Sequence, residues 1–86
     1  MHKNVLDIEY ITHDNAQEIY KNGQSSLLEH KNLHIDFNSL KKFDSSIFAV
    51  ILGWRRIASQ NQLVLNIILS EKLQTLADVY GISDIL

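Results

Sequence analysis

One stretch, Phe43–Gly53, constrains the possible fold of this chain more than any other. It opens with Asp44, Ser45 and Ser46, residue types whose side-chain oxygens accept hydrogen bonds from the free backbone N–H groups at a helix start. A second apolar row widens the helix surface beyond what a small core requires. The helix is therefore expected either to sink deep into the fold or to present part of its surface to a partner. Its main apolar row has the period of an α-helix, at Ile47, Val50, Ile51, Trp54 and Ala58.

Three other stretches carry the patterns of strands. In Val5–Ile11 and Leu33–Phe37, apolar residues alternate with polar ones, which is the period of a strand with one buried face. Leu63–Leu69 is almost entirely apolar, and such a run is typical of a strand covered on both faces. Asn38–Lys42 is expected to be a polar loop that leads to Phe43.

Helical patterns alternate with these strands. The first helix has sparse apolar positions in its middle, and Gly23 costs a helix about 1 kcal/mol relative to alanine. Gly81 stands where a helix C-terminal glycine belongs. Beyond it, Ile85 and Leu86 are expected to pack back on the fold or to contact a partner. Three helices are predicted, from the Asp14 cap to Glu29 or His30, from Asp44 to about Ser59–Asn61, and from the Ser70 cap to Gly81.

The resulting order is βαβαβα, with short links and no proline. Strands that alternate with helices predict a largely parallel sheet with right-handed crossovers and with helices packed against it. The predicted fold class is therefore α/β. A chain of 86 residues has room for one core only, so residues 1–86 are expected to form a single domain.

Composition and charge exclude several classes of function. The net charge is −2 and there is no basic tract, which argues against nucleic acid as the main ligand. The chain has no cysteine, so it has neither a disulfide nor a thiolate metal site, and a reducing cytoplasm fits. The apolar runs are too short to cross a bilayer, and the N-terminus carries no signal peptide. We expect a cytoplasmic domain that reaches a membrane only through a partner.

No pattern in the sequence indicates catalysis or a cofactor. The three glycines are scattered, so neither a phosphate-binding loop nor a dinucleotide fingerprint can be built from them. His30 and His34 have the spacing of a helical metal pair, but they straddle a helix end and a strand. No elbow motif suggests a hydrolytic triad. The chain is therefore predicted to be neither an enzyme nor a metal protein, with no cofactor.

The candidate functional residues lie on the central helix and at its start. A hydroxyl in the Asp44 cluster could be a plain helix cap, or a contact or regulatory group. Arg55 and Arg56 could be a solvated pair or a contact patch for an acidic partner surface. Trp54 could belong to the core or to an interface. The candidate partner-binding or regulatory residues are Asp44, Ser45, Ser46, Ala49 and Arg56.

These residues resemble a known family. Leu33–Asp36, followed by Phe43-Asp44-Ser45-Ser46 and the apolar run Ile47–Gly53, looks like the strand, turn and helix of the STAS domain. In STAS anti-sigma-factor antagonists, a partner kinase phosphorylates the hydroxyl residue after the aspartate, and Ser45 holds that place here. The resemblance implies a STAS-like α/β domain. It also implies a possible role as a phosphorylation switch in a partner-switching cascade.

The C-terminal third resembles one branch of that family. Lys72–Tyr80 and Gly81–Leu86 are similar to the closing segment of MlaB-type members, the small cytoplasmic subunits of bacterial phospholipid ABC transporters. Those subunits dock on the ABC ATPase, MlaF. The resemblance implies a non-enzymatic accessory subunit, cytoplasmic and peripheral to the inner membrane through the complex. Ile47 and Ala49 stand where the family has glycines, which favours docking over phosphorylation of Ser45.

Overall fold

The computed structural model describes residues 3–86, and it confirms the α/β class with parallel strands. Short 3-10 turns follow the second strand, at Phe37–Ser39, and close the chain, at Ser83–Ile85. None of the helices in this part of the chain is long and apolar enough to cross a membrane. The strands are β1 Tyr10–Ile11, β2 Asn32–Asp36, β3 Lys42–Phe43 and β4 Val64–Ile68, and the helices are α1 Ala16–His30, α2 Ser46–Asn61 and α3 Glu71–Val79.

The strands form two small parallel pairs. β2 pairs with β4 over their whole length, and β1 pairs with β3. The expected first strand, Val5–Ile11, is divided between the two pairs: Val5 bridges to His34 of β2, whereas only Tyr10–Ile11 joins β3. β3 itself lies where a loop was expected, so the order gains one short strand. The prediction of a continuous first strand is wrong, because its two ends add to different sheets.

The capping residues predicted from the sequence are found at the ends of one helix but not at the start of another. The Ser70 hydroxyl accepts a hydrogen bond from the backbone N–H of Leu73 (3.2 Å), and Gly81 follows α3 with a φ of +70°. Both features confirm the predicted bounds of α3. By contrast, the predicted Asp14 cap of α1 is wrong. Asn15 occupies the N-cap position, and its side chain accepts a hydrogen bond from the Thr12 N–H and does not cap the helix.

Helices cover one face of the larger sheet only. Leu33 and Ile35 of β2 point to the helices and are buried. No helix of the described residues packs on the opposite face, here called the bare face. It carries Val5, Asn32, His34, Asp36, Val64, Asn66 and Ile68. Within β4 the exposed and half-buried residues alternate, so the prediction that Leu63–Leu69 is covered on both faces is wrong. The run is apolar, yet none of the helices within residues 3–86 covers its second face.

α1 and α2 pack closely because each contributes a glycine where the other contributes an aromatic ring. A Cβ added to Gly23 would lie 2.3 Å from the Trp54 ring, and one added to Gly53 would lie 2.5 Å from the Tyr20 ring. Trp54 is fully buried, and its indole N–H donates to the Tyr20 carbonyl oxygen (3.0 Å). Gly23 is therefore the residue that admits Trp54 to the core, and the core interpretation of Trp54 is confirmed.

The C-terminal tail is held against β4 by Arg55. The Arg55 guanidinium donates one hydrogen bond to the Leu65 carbonyl oxygen and another to the Leu86 backbone oxygen, both at 3.0 Å. Leu86 thus packs back on the fold, as predicted, whereas Ile85 is 59% exposed. Arg55 and Arg56 are not a uniform solvated pair, because Arg55 joins three segments of the chain.

Candidate partner-binding surface

The start of α2 is capped by Asp44 and by neither serine. One Asp44 carboxylate oxygen accepts hydrogen bonds from the backbone N–H of Ser46 (2.9 Å) and from the Ser46 hydroxyl (2.5 Å). Ser45 occupies the N-cap position, but its side chain makes no capping hydrogen bond. The cluster therefore caps the helix as its residue types indicate, but the cap is the Asp44 carboxylate, and the interpretation of a serine hydroxyl as the cap is wrong. The exposed Ser45 hydroxyl is left available at the helix start.

His13 ties this helix start to the turn that precedes α1. The other Asp44 carboxylate oxygen accepts from the His13 backbone N–H (2.9 Å) and contacts Nδ1 of its ring (3.1 Å). The hydrogen bond to Asp44 and the nearby charge of Asp14 raise the pKa of His13 above its ordinary 6.5. The Ser46 hydroxyl, then the backbone N–H groups of His13 and Ser46, hold the pKa of Asp44 well below its usual range. Asp44 is therefore an anion at any physiological pH.

A groove of about 550 Å3 runs between α1 and α2, beginning at the first turn of α2. The small side chains of Ala16 and Ala49, together with Gly53, keep it open. The Tyr20 ring lies over Gly53 and forms part of one wall. This arrangement can accept an apolar side chain of a partner, because it offers a shallow apolar floor with polar rims. Its lining residues are Ala16, Gln17, Tyr20, Ser46, Ala49, Val50, Leu52, Gly53 and Arg56.

Arg56 lies two helical turns beyond Ala49 and provides the groove's only cationic lining residue among those described. Its side chain is exposed and makes no ion pair with another residue of the described range. An unpaired guanidinium at the rim of an apolar groove favours a ligand that carries a carboxylate. The α2 surface can therefore combine apolar and acidic recognition.

Three of the five predicted site residues, Ser46, Ala49 and Arg56, meet along this groove. Asp44 and Ser45 lie at its N-terminal end, where Asp44 is engaged in the cap. The contributions of α1, chiefly Gln17 and Tyr20, were not predicted as site residues. Tyr20 belongs to the apolar positions of α1, but the crossing of the two helices could not be predicted from their spacing.

Within residues 3–86, no three His, Asp or Glu side chains are grouped so that they could hold a metal ion. At the helix start the Ser46 hydroxyl donates to the Asp44 carboxylate, which also accepts from the backbone N–H groups of His13 and Ser46. When the chain is compared with known proteins, no protein-family model matches it and no curated protein does either.

Proposed function

We propose that this chain is a non-enzymatic accessory subunit that docks on the ABC ATPase of a bacterial phospholipid transport complex. The observation that carries the docking is the exposed and unused Ser45 hydroxyl at the start of α2, next to the groove between α1 and α2. The class of partner comes from the resemblance of the central turn and the C-terminal third to MlaB-type STAS domains. Such a subunit would be cytoplasmic and held at the inner membrane through the transporter.

Docking at this surface is supported by side chains there that make few contacts within the fold. The Ser45 hydroxyl takes no part in the cap, so it contributes little to the stability of the fold. Ala49 is exposed in the first turn of α2, where its neighbours Phe48 and Val50 are buried, and Arg56 has no anionic partner in the described residues. Groups that contribute little to stability and lie together on one face are typical of a binding surface.

The groove also sets the chemistry of the contact. A partner side chain such as Leu or Phe would bury apolar area on Ala49 and Gly53, at about 25 cal/mol per Å2. A carboxylate from the same partner segment would pair with Arg56. The proposed interface therefore combines one apolar anchor with one ion pair, and neither requires a change in the fold.

Co-purification with the ABC ATPase subunit tests this proposal. Ala49→Glu places a charge on the groove floor, and Arg56→Glu reverses the rim charge, so each should weaken the complex at least tenfold, or about 1.4 kcal/mol. Gln60→Glu adds the same charge to an exposed position outside the groove and is the matched control. All three should keep the wild-type circular dichroism spectrum. Equal binding by all three variants and the wild type would show that the groove is not the contact.

A phosphorylation switch is the second candidate, and the free, exposed Ser45 hydroxyl favours it. A phosphate there would lie close to the Asp44 carboxylate, and the two anions would repel. The partners would then be a kinase, which phosphorylates the serine, and a regulator of a sigma factor. In a switch, Ser45→Ala binds the regulator constitutively, Ser45→Glu does not, and mass spectrometry finds phosphoserine on the native protein. In a docking subunit, both substitutions weaken the ATPase complex and the native serine carries no phosphate.

A further inference from the structure

Apolar side chains remain on the bare face although no helix covers it. Val5, Val64 and Ile68 are 57%, 58% and 51% exposed. They belong to adjacent strand segments, since Val5 bridges to β2 and β2 pairs with β4. Apolar residues that share one exposed sheet face mark an interaction surface.

The outer edge of β4 is less suitable for association than this face. Val64 donates its N–H towards β2, so the backbone groups of Leu65 point the other way. The Leu65 carbonyl oxygen already accepts from Arg55, which lies along that edge with the C-terminal tail. A strand added there would have to displace Arg55. A binding partner therefore has better access to the bare face than to the outer edge of β4.

The bare face is arranged symmetrically about its middle row. Val5, His34 and Asn66 lie side by side across the three strand segments, and Val64 and Ile68 flank Asn66 at equal distances along β4. A two-fold axis parallel to this row would stack a second copy face to face, with its strands antiparallel. Val64 would then face Ile68 of the second copy, and each residue of the middle row would face its own counterpart.

Charges on the same face fit this arrangement. Lys3 and Asp7 lie two residues before and after Val5, so strand alternation puts all three on one side. The intervening Asn4 points the other way and donates to Ser26 of α1 (2.6 Å). Under the two-fold axis, Lys3 faces Asp7 of the second copy, twice in the pair. Asp36, which lies beside Ile68 in the register, would face Asn32 of the second copy.

We propose that the bare face pairs with the same face of a second copy to form a two-fold dimer. The shared face is three strands wide and about five residues long, roughly 14 Å by 17 Å. A standard interface buries about 800 Å2 per partner, more than this face offers, so the dissociation constant should be on the order of 100 µM. This dimer uses a surface other than the groove and does not depend on the proposed function.

Sedimentation equilibrium from about 10 µM to about 1 mM tests the dimer, because that range brackets its expected affinity. Ile68→Lys should weaken association at least tenfold, since each copy would bury a charge against Val64 of the other. Val79→Lys is the matched control: Val79 is 72% exposed on α3, outside the bare face, so the constant should stay within about twofold. A monomeric wild type at the highest concentration, or equal association of the two variants, would overturn the proposal.

A charge exchange tests the symmetry itself. Lys3→Glu and Asp7→Lys should each weaken the dimer about three- to tenfold, because each change occurs twice in the pair. The double variant should return to within about threefold of the wild type, since it restores opposite charges across the two-fold axis. Both residues are exposed and neither caps a helix, so the circular dichroism spectra should be unchanged. A double variant as weak as the single ones would contradict the antiparallel stack.

Discussion

Gly23→Ala should destabilise the fold although it improves a helix. Alanine at this position of α1 gains about 1 kcal/mol of helix propensity over glycine. Its Cβ, however, would lie 2.3–2.5 Å from Cζ2, Cε2 and Nε1 of the Trp54 ring. Ordinary carbon contacts are about 3.5–4 Å, so the ring or the helix must move by about 1 Å.

Neither can move cheaply. Trp54 is 0% exposed, and its indole N–H donates a hydrogen bond to the Tyr20 carbonyl oxygen of α1. Overpacking a core costs about 1–3 kcal/mol, and a lost buried hydrogen bond about 1–3 kcal/mol more. After the gain in propensity, a net loss of about 1–5 kcal/mol in the free energy of unfolding is expected. For a domain of this size that lowers the Tm by several degrees to more than ten.

Urea unfolding followed by circular dichroism would measure the effect, with Ser25→Ala as the matched control. Ser25 is exposed on the same helix, so its replacement should stabilise slightly. In a Trp54→Phe background the clashing indole atoms are gone, and Gly23→Ala should become neutral or stabilising. If Gly23→Ala stabilises the otherwise wild-type protein as Ser25→Ala does, the reasoning about the glycine–tryptophan contact is refuted.

Three further perturbations test the helix start and the tail. Ser45→Ala should change the Tm by less than Asp44→Ala does, because only the aspartate caps α2; a larger effect of the serine, by calorimetry, would contradict the cap assignment. The raised pKa of His13 contributes stability that is complete below pH 6.5 and lost as pH rises through its folded value, whereas the lowered pKa of Asp44 contributes stability that is complete above pH 3.8 and lost as pH falls. The urea midpoint should therefore decline above pH 6.5, and His13→Gln should reduce that decline. Arg55→Met should cost about 1–3 kcal/mol by leaving two backbone oxygens without their donor, and hydrogen exchange should then quicken near Leu86; unchanged exchange there would show that Arg55 does not hold the tail.

Local signals in the sequence were enough to predict the helices. The apolar row of α2 from Ile47 to Ala58 is buried as its spacing indicates, and Ser70 and Gly81 mark α3 correctly. These features depend on residues three or four positions apart, so they can be read without knowing the fold.

Contacts between distant segments could not be predicted in the same way. From the sequence, Gly23 could be assigned only its unfavourable helix propensity. Its structural role depends on contact with Trp54, which is distant in the sequence. β4 has the composition of a doubly covered strand, but coverage depends on how many helices the chain can place on each face. The groove likewise arises from the crossing of α1 and α2, so only the α2 half of it was predicted.

The most direct test of the docking proposal is a titration of the isotope-labelled chain with the purified ABC ATPase subunit, followed by backbone amide NMR spectra. At 9.9 kDa the free protein is small enough for well-resolved spectra to be expected. The proposal predicts that signals of Gln17, Ser45, Ala49 and Gly53 shift or broaden first, and that Arg56→Glu prevents this. A spectrum unchanged by the ATPase, or perturbation confined to β4, would contradict docking through the groove.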